Sequence, residues 1–283
     1  MRLNLMIRKV IKNIKYHITN VRWEIAGLLR DCKNHLQQPV NEFSLQGYEI
    51  IQNFLDQDEC DRLIELANHY LRDQSYLIYG NCYLVCRNAV QEVDSKVQQL
   101  MNVQEVDTQL SQLFHSHKIE ELFEQRIGQK LRLKTISIQV DNLDTESKRG
   151  FHNDNITPPG FKAFIYLNDV ADYGDGPYTI IPGSHRHTFR KIINHLYNRL
   201  ITVLSRRKNY PVGDMRLFYS DKQSVSIFGK AGTLILSNQQ LAHKGWQKHD
   251  QNKRYVLVCY LKLEKFDNGE LFNLGQKAIL QTA

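Results

Sequence analysis

A succession of short strand patterns, separated by turns that contain glycine or proline, occupies the second half of the chain and limits the possible folds most. Residues 130–140 alternate in polarity and are rich in β-branched side chains, as strands are. Similar strand patterns occupy residues 161–170, 178–185, 224–238 and 255–263. Many short strands with such turns are typical of a double-sheet jelly roll or barrel. We therefore predict a mainly β (α+β) protein with a jelly-roll, or double-stranded β-helix, core and flanking helices.

The first half of the chain is predicted to be mixed. A helix should begin after residue 56, where Asp56 or Asp58 can cap it. Residues 43–51 and 76–87 suggest short strands, and residues 89–127 suggest one or two helices that end at a glycine.

Two further segments stand apart from these elements. Residues 1–40 form a predicted helical extension, and residues 41–283 a single jelly-roll domain. A basic helical insertion near residues 186–222 breaks the strand rhythm, and we expect it to cover one mouth of the barrel.

The segment Gly-Phe-His-Asn-Asp, residues 150–154, lies between two strand patterns and combines an imidazole with a carboxylate. Side chains two apart on a strand point the same way, so His152 and Asp154 would face one space. They would supply two of the three ligands of a 2-His-1-carboxylate iron site. Taken alone, the pair could equally be a loop histidine and an Asp that forms a turn before the prolines.

A candidate for the third ligand comes much later in the chain. There are eleven histidines, so position decides. His243 follows the strand pattern of residues 224–238 and precedes a polar turn and the last strong strand pattern. Arg254 opens that last strand, eleven residues on, where a guanidinium could hold a carboxylate in bidentate fashion.

Taken in order, four features resemble the phytanoyl-CoA dioxygenase-like family of Fe(II)/2-oxoglutarate-dependent oxygenases. They are His152-x-Asp154, the segment GDGPYTIIPGSH at residues 174–185, His243 and Arg254. Each is weak alone, but their order is specific. The resemblance covers roughly residues 130–262, and the extension and the basic insertion lie outside the family pattern.

The resemblance implies an iron site whose ligands, and catalytic residues, are His152, Asp154 and His243. Arg254 would hold the distal carboxylate of the co-substrate 2-oxoglutarate, and Gln139 and Asn155 would contact the co-substrate or other bound ligands. Some relatives place a Ser or Thr two residues after the distal histidine to assist this arginine. Here that position is Gly245, so a second donor must come from elsewhere.

The implied activity uses O₂ and 2-oxoglutarate to hydroxylate a C–H bond of a small-molecule, lipid, CoA- or sugar-conjugated substrate, with release of succinate and CO₂. In related halogenases a small residue replaces the carboxylate, so Asp154 favours hydroxylation. His185 and His187 are spaced like a chelate, but they follow Pro-Gly-Ser at a turn, and we expect structural roles for them. Lys162 could line a pocket, but we expect it to be a solvent-exposed charge.

The net charge of +7 is concentrated in two segments. Residues 1–40 hold eight Lys or Arg against two acids, and residues 184–222 hold nine against two, so the remaining chain is acidic. Apolar residues recur at helical spacing over residues 3–29, a pattern that suits contact with an anionic membrane or an acidic partner. Docking of this helix on the body or on a second copy is the alternative. We expect no specific nucleic-acid binding, because no base-reading motif is present.

A second class of function is a non-catalytic jelly-roll module that holds an anionic partner through its basic segments. Five scattered cysteines indicate no disulfide framework and favour a reducing compartment. No signal-peptide pattern is visible. The expected location is therefore cytoplasmic. Peripheral association with a membrane is compatible with this expectation.

Overall fold

A computed structural model describes residues 18–29, 41–72, 77–86, 97–142, 150–154, 159–204, 215, 217–245 and 252–269. These residues form eleven strands and six helices. The helices are α1 (18–29), α2 (Glu42–Gln46), α3 (Gln57–Arg72), α4 (Thr108–His115), α5 (Lys118–Ile127) and α6 (Phe189–Leu204).

The larger sheet has eight antiparallel strands in the order β1-β9-β6-β11-β5-β4-β3-β2. Their bounds are Tyr48–Ile51 for β1, Leu77–Tyr79 for β2, Cys82–Cys86 for β3, Val97–Met101 for β4, Leu131–Asp141 for β5, Gly160–Tyr166 for β6, Leu234–Asn238 for β9 and Arg254–Leu263 for β11. The long strands β5 and β11 are neighbours at its centre.

The smaller sheet has the order β10-β7-β8, with β7 at Tyr178–Ile180, β8 at Val225–Ile227 and β10 at His243–Gly245. An isolated bridge joins His152 to the first residue of β10 and so extends this sheet by one short segment. One buried cluster contains apolar side chains of both sheets, including Tyr178 and Ile180 from β7 and Val256 and Val258 from β11. The two sheets therefore face each other, as in the predicted jelly roll, and that prediction of fold class is confirmed.

Alternation along β11 separates the interior of the sandwich from its outer face. Tyr255, Leu257 and Cys259 belong to the cluster that α3, α4 and α5 cover, whereas Val256 and Val258 belong to the cluster between the sheets. Successive side chains of a strand point to opposite faces, so the even-numbered residues of β11 line the interior.

Two predictions for the first half of the chain are wrong in part, although β1 lies within residues 43–51 and α4 and α5 lie within residues 89–127 as expected. Residues 42–46 are helical where a strand was expected, because Asn41 caps the backbone N–H of Ser44 and Gly47 ends the turn at φ 82°. Residues 97–101 form β4 where a helix was expected, since pairing with β3 and β5 on both sides overrides their local pattern. Asp56 does cap the start of α3, through the backbone N–H of Glu59 at 2.8 Å.

The helices that the structure describes fall short of a membrane span. Not one of them combines sufficient length with sufficient apolar character to cross a bilayer.

Candidate metal centre

The structure brings His152, Asp154 and His243 together. The backbones of the two histidines exchange hydrogen bonds, of 3.0 Å from His152 N–H and 2.8 Å from His243 N–H. One potential ligand atom from each of the three side chains lies within 4.8 Å of the other two. Both histidines are buried and Asp154 is half-buried. Residues as far as 91 positions apart in sequence thus form one compact group of metal-ligand type.

The two imidazole rings are held in the orientation that a metal ligand needs. The Nδ1 atom of His152 lies 2.9 Å from the carbonyl oxygen of Gly150, and Nδ1 of His243 lies 2.9 Å from that of Leu241. A carbonyl oxygen only accepts, so both Nδ1 atoms carry the proton. The unprotonated Nε2 atoms then face the Asp154 carboxylate, at 3.5 and 3.6 Å.

These distances suit a shared ion. Two ligands about 2.1 Å from one metal ion and at right angles to each other lie about 3 Å apart. The separations of 3.5 Å from His152 Nε2 to Oδ1 and 3.6 Å from His243 Nε2 to Oδ2 are each slightly longer than that value. Two neutral imidazoles and one carboxylate are also the donor set of a 2-His-1-carboxylate site, so the residues present fit the iron that the sequence implied.

Lys162, which was expected to be exposed to solvent, is a cation of this site. Lys162, on the interior face of β6, places its Nζ 2.5 Å from Oδ2 of Asp154, and its side chain is 13% exposed. Burial alone would raise the pKa of Asp154, but the charge of Lys162 outweighs it and holds the pKa well below its usual range. Lys162 shares a strand face with Phe164 and Tyr166 on β6. This spacing was the sequence signal that could have placed Lys162 in the interior.

Arg254 and Gln139 lie on the interior face too, but they are gathered around a different acid. Arg254 donates from Nε to Oδ2 of Asp141 at 2.8 Å, with a second, shorter contact from Nη2. Gln139 donates from Nε2 to Oδ1 of the same carboxylate at 2.9 Å. Both members of the ion pair are buried. Asp141 belongs to no sequence motif. Its position opposite Arg254 follows only from the β5–β11 register.

Several buried hydroxyl and amide groups line the same interior. The Tyr178 hydroxyl is 3.0 Å from Ser237 Oγ, and Gln99 donates to Ser137 at 2.9 Å and to the Tyr260 hydroxyl at 2.6 Å. Burial raises the pKa of Tyr178, so its hydroxyl keeps its proton at neutral pH. Tyr178 is also the residue paired with Gly245 between β7 and β10, and a Cβ added at Gly245 would meet no atom within 4 Å.

The remaining predicted residues lie elsewhere or outside the described part. Asn155 is outside the described residues. His185 contacts the carbonyl of Ser44 at 3.1 Å, and His187 contacts Glu24 at 2.9 Å, in keeping with the structural roles expected of them.

No family model matches the sequence, and no curated protein matches it either. Solved structures do. HygX from Streptomyces hygroscopicus, with nickel, 2-oxoglutarate and hygromycin B bound, is 13% identical with a TM-score of 0.55, over 79% of this chain and 86% of that chain. The epimerase SnoN in complex with Fe³⁺, alpha ketoglutarate and nogalamycin RO is 16% identical with a TM-score of 0.53, over 78% and 80%.

AviO1 from Streptomyces viridochromogenes Tue57 is 15% identical with a TM-score of 0.54, over 79% of this chain and 92% of that chain. These identities are low and the coverage is high. The chain therefore shares the fold of HygX, SnoN and AviO1, and its candidate metal centre lies within that fold.

Proposed function

We propose that this chain is an Fe(II)/2-oxoglutarate-dependent oxygenase that hydroxylates a C–H bond of a small-molecule substrate. The observation that carries the proposal is the convergence of two Nε2 atoms, each freed by a backbone hydrogen bond at Nδ1, on the carboxylate of Asp154. Support for the substrate class comes from HygX, which binds hygromycin B, and SnoN, which binds nogalamycin RO.

His152, Asp154 and His243 would hold Fe(II). When bound with 2-oxoglutarate and O₂, the iron supplies oxidation of a C–H bond coupled to decarboxylation of the co-substrate to succinate and CO₂. The carboxylate ligand favours hydroxylation over halogenation. Within oxygenases of this fold, we place the chain in the phytanoyl-CoA dioxygenase-like family on its motif order, with residues 41–283 as a single domain.

Lys162 acts as a positioning residue for Asp154. Its ammonium group binds Oδ2, and Oδ1, 3.5 Å from Nε2 of His152, would remain the oxygen available to a metal ion. A carboxylate that binds through one oxygen would leave room for co-substrate and O₂. We expect Lys162→Met to weaken Fe(II) binding by about tenfold, while exposed Lys230→Met leaves it unchanged.

Arg254 would bind the distal carboxylate of 2-oxoglutarate, with Gln139 and Asn155 as further contacts. Asp141 already occupies part of the guanidinium, so the co-substrate shares Arg254 with an internal carboxylate. Buried hydroxyls such as that of Tyr178 replace the donor that Gly245 lacks.

Fe(II) affinity and uncoupled 2-oxoglutarate turnover test the proposal together. We expect one tight Fe(II) per chain, a loss of at least roughly 100-fold in affinity for Asp154→Ala and His243→Ala, and no succinate formation by either variant. His69→Ala, at an exposed histidine, serves as the matched control. Tight Fe(II) binding or near-normal succinate formation by the Asp154 variant would refute the site assignment.

A further inference from the structure

Helices α1 and α6 pack against each other through polar faces. The buried positions of α1 are Asn20, Glu24 and Gly27, and those of α6 are Lys191, Asn194, His195 and Asn198. Both sets follow the three- and four-residue spacing of one helix face. The side of each helix that is hidden from solvent is therefore its polar side.

Charged contacts join this polar seam. Glu24 accepts from Nδ1 of His187 at 2.9 Å, and its other oxygen lies 3.4 Å from Nζ of Lys191 and 3.8 Å from Nε2 of His195. Lys191 also donates to the carbonyl of His185 at 2.8 Å. Buried charges need such partners, so these contacts fix which faces of the two helices point inward.

The outward faces are apolar. On α6, Phe189 is 70% exposed, Ile193 50% and Leu200 55%, and Leu196 and Tyr197 complete the stripe. On α1, Ile25 and Leu29 are exposed as well. An ordinary surface helix has the opposite arrangement, with its apolar stripe toward the core. Several large apolar side chains exposed along one helix face mark a site of contact with a partner or a membrane.

The basic side chains beside this apolar face favour an anionic partner. Arg22 of α1 and Arg190 of α6 are exposed on the same two helices, and Arg186 is exposed just before α6. Basic residues beside an apolar helix face suit a surface of anionic lipid headgroups over acyl chains. A second copy docked through the same patch would instead oppose its own arginines, which disfavours that occupant.

We propose that the outer face of α1 and α6 docks on an anionic lipid bilayer, with the apolar stripe in the boundary between headgroups and acyl chains. The proposal does not depend on the metal centre. The docking helix is nevertheless linked to that centre, because Asn194 of α6 contacts Met215 Sδ at 3.4 Å, and the Met215 N–H donates to the carbonyl of Phe151 at 2.7 Å, next to His152.

Co-sedimentation with lipid vesicles tests this docking on the full chain. Wild type is compared on vesicles of phosphatidylcholine alone and of phosphatidylcholine with phosphatidylglycerol. The test variant is Phe189→Ser with Leu200→Ser. The matched control is Tyr79→Ser with Tyr173→Ser, at residues 69% and 52% exposed that lie in β2 and in the turn before β7, outside both helices.

We expect wild type and control to sediment with the anionic vesicles, and the test variant to lose at least roughly tenfold in partitioning. Raising the salt concentration should weaken wild-type binding, because it screens the lipid charge. Absence of wild-type binding, or equal binding by wild type and test variant, would overturn the proposal. So would a wild-type dimer in solution that the test variant abolishes, since it would identify a second copy as the occupant.

A reporter at the same face provides a measurement that does not require loss of binding. In Leu200→Trp, the new indole lies in the stripe. Its fluorescence emission should shift to shorter wavelength on addition of the anionic vesicles, since the indole enters an apolar environment. If the emission wavelength is the same with anionic vesicles as with pure phosphatidylcholine vesicles, docking through α6 is contradicted.

Discussion

Replacement of Asp141 by alanine tests the buried ion pair that Arg254 makes. The side chains of Arg254 and Asp141 are 11% and 3% exposed. At a separation of 2.8 Å and an effective dielectric constant of about 20, their attraction is about 6 kcal/mol, much of it offset by desolvation. Removing the acid leaves a buried, uncompensated guanidinium. We expect Asp141→Ala to lower the free energy of unfolding by about 3–5 kcal/mol.

Urea unfolding followed by circular dichroism measures this loss. With an m-value of about 3 kcal/mol/M, the midpoint should fall by about 1–1.7 M. Glu264→Ala provides the control, because it breaks the exposed pair with Arg132 and should cost about 1 kcal/mol or less. Adding Arg254→Met to Asp141→Ala should restore part of the stability. A loss below about 1 kcal/mol in the single variant would refute the assignment of a buried, mutually dependent pair.

Three further predictions concern the co-substrate, pH and a close backbone contact. Arg254→Ala should raise the 2-oxoglutarate concentration needed for half-maximal succinate release by at least about tenfold, and an unchanged requirement would assign the carboxylate to another group. Burial lowers the pKa of His185 to about 3, so the unfolded chain binds more protons between about pH 3 and 6.5. Stability should therefore fall as pH decreases through this window, by less than about 1.4 kcal/mol per pH unit, and His185→Gln should flatten the slope measured by urea unfolding. Gly232 has φ 81°, and a Cβ there would lie 2.0 Å from the carbonyl oxygen of Leu55. Gly232→Ala should cost more than about 1 kcal/mol in thermal unfolding; a stability gain would contradict the close approach.

The strands and helices with strong local patterns could be predicted from the sequence. Alternation and β-branched residues identified β5, and Asp56 marked the start of α3. β4 was missed, because its conformation depends on two neighbouring strands that local sequence does not encode. The short helix α2 was missed as well, although Asn41 and Gly47 are residues that favour its two ends.

The metal-ligand set could be proposed from the order of its motifs, since His152 and Asp154 are close in sequence and His243 precedes a strong strand. Lys162 and Asp141 could not be placed in this way. Each is one charge within a strand, and its partner is decided by how the sheets fold together. The register of β11 with β5 places Arg254, the residue predicted to bind 2-oxoglutarate, opposite Asp141, which belongs to no motif.

Anaerobic titration of the metal-free protein with Fe(II) and 2-oxoglutarate tests the central claim most directly. Chelation of Fe(II) by 2-oxoglutarate in a site of two imidazoles and one carboxylate produces a visible charge-transfer absorption band. We predict that the band appears and saturates at one Fe(II) per chain in the wild type, and that His243→Ala abolishes it while His69→Ala retains it. A wild-type protein that develops no band at saturating Fe(II) and 2-oxoglutarate would contradict the proposed function and favour a non-catalytic binding module.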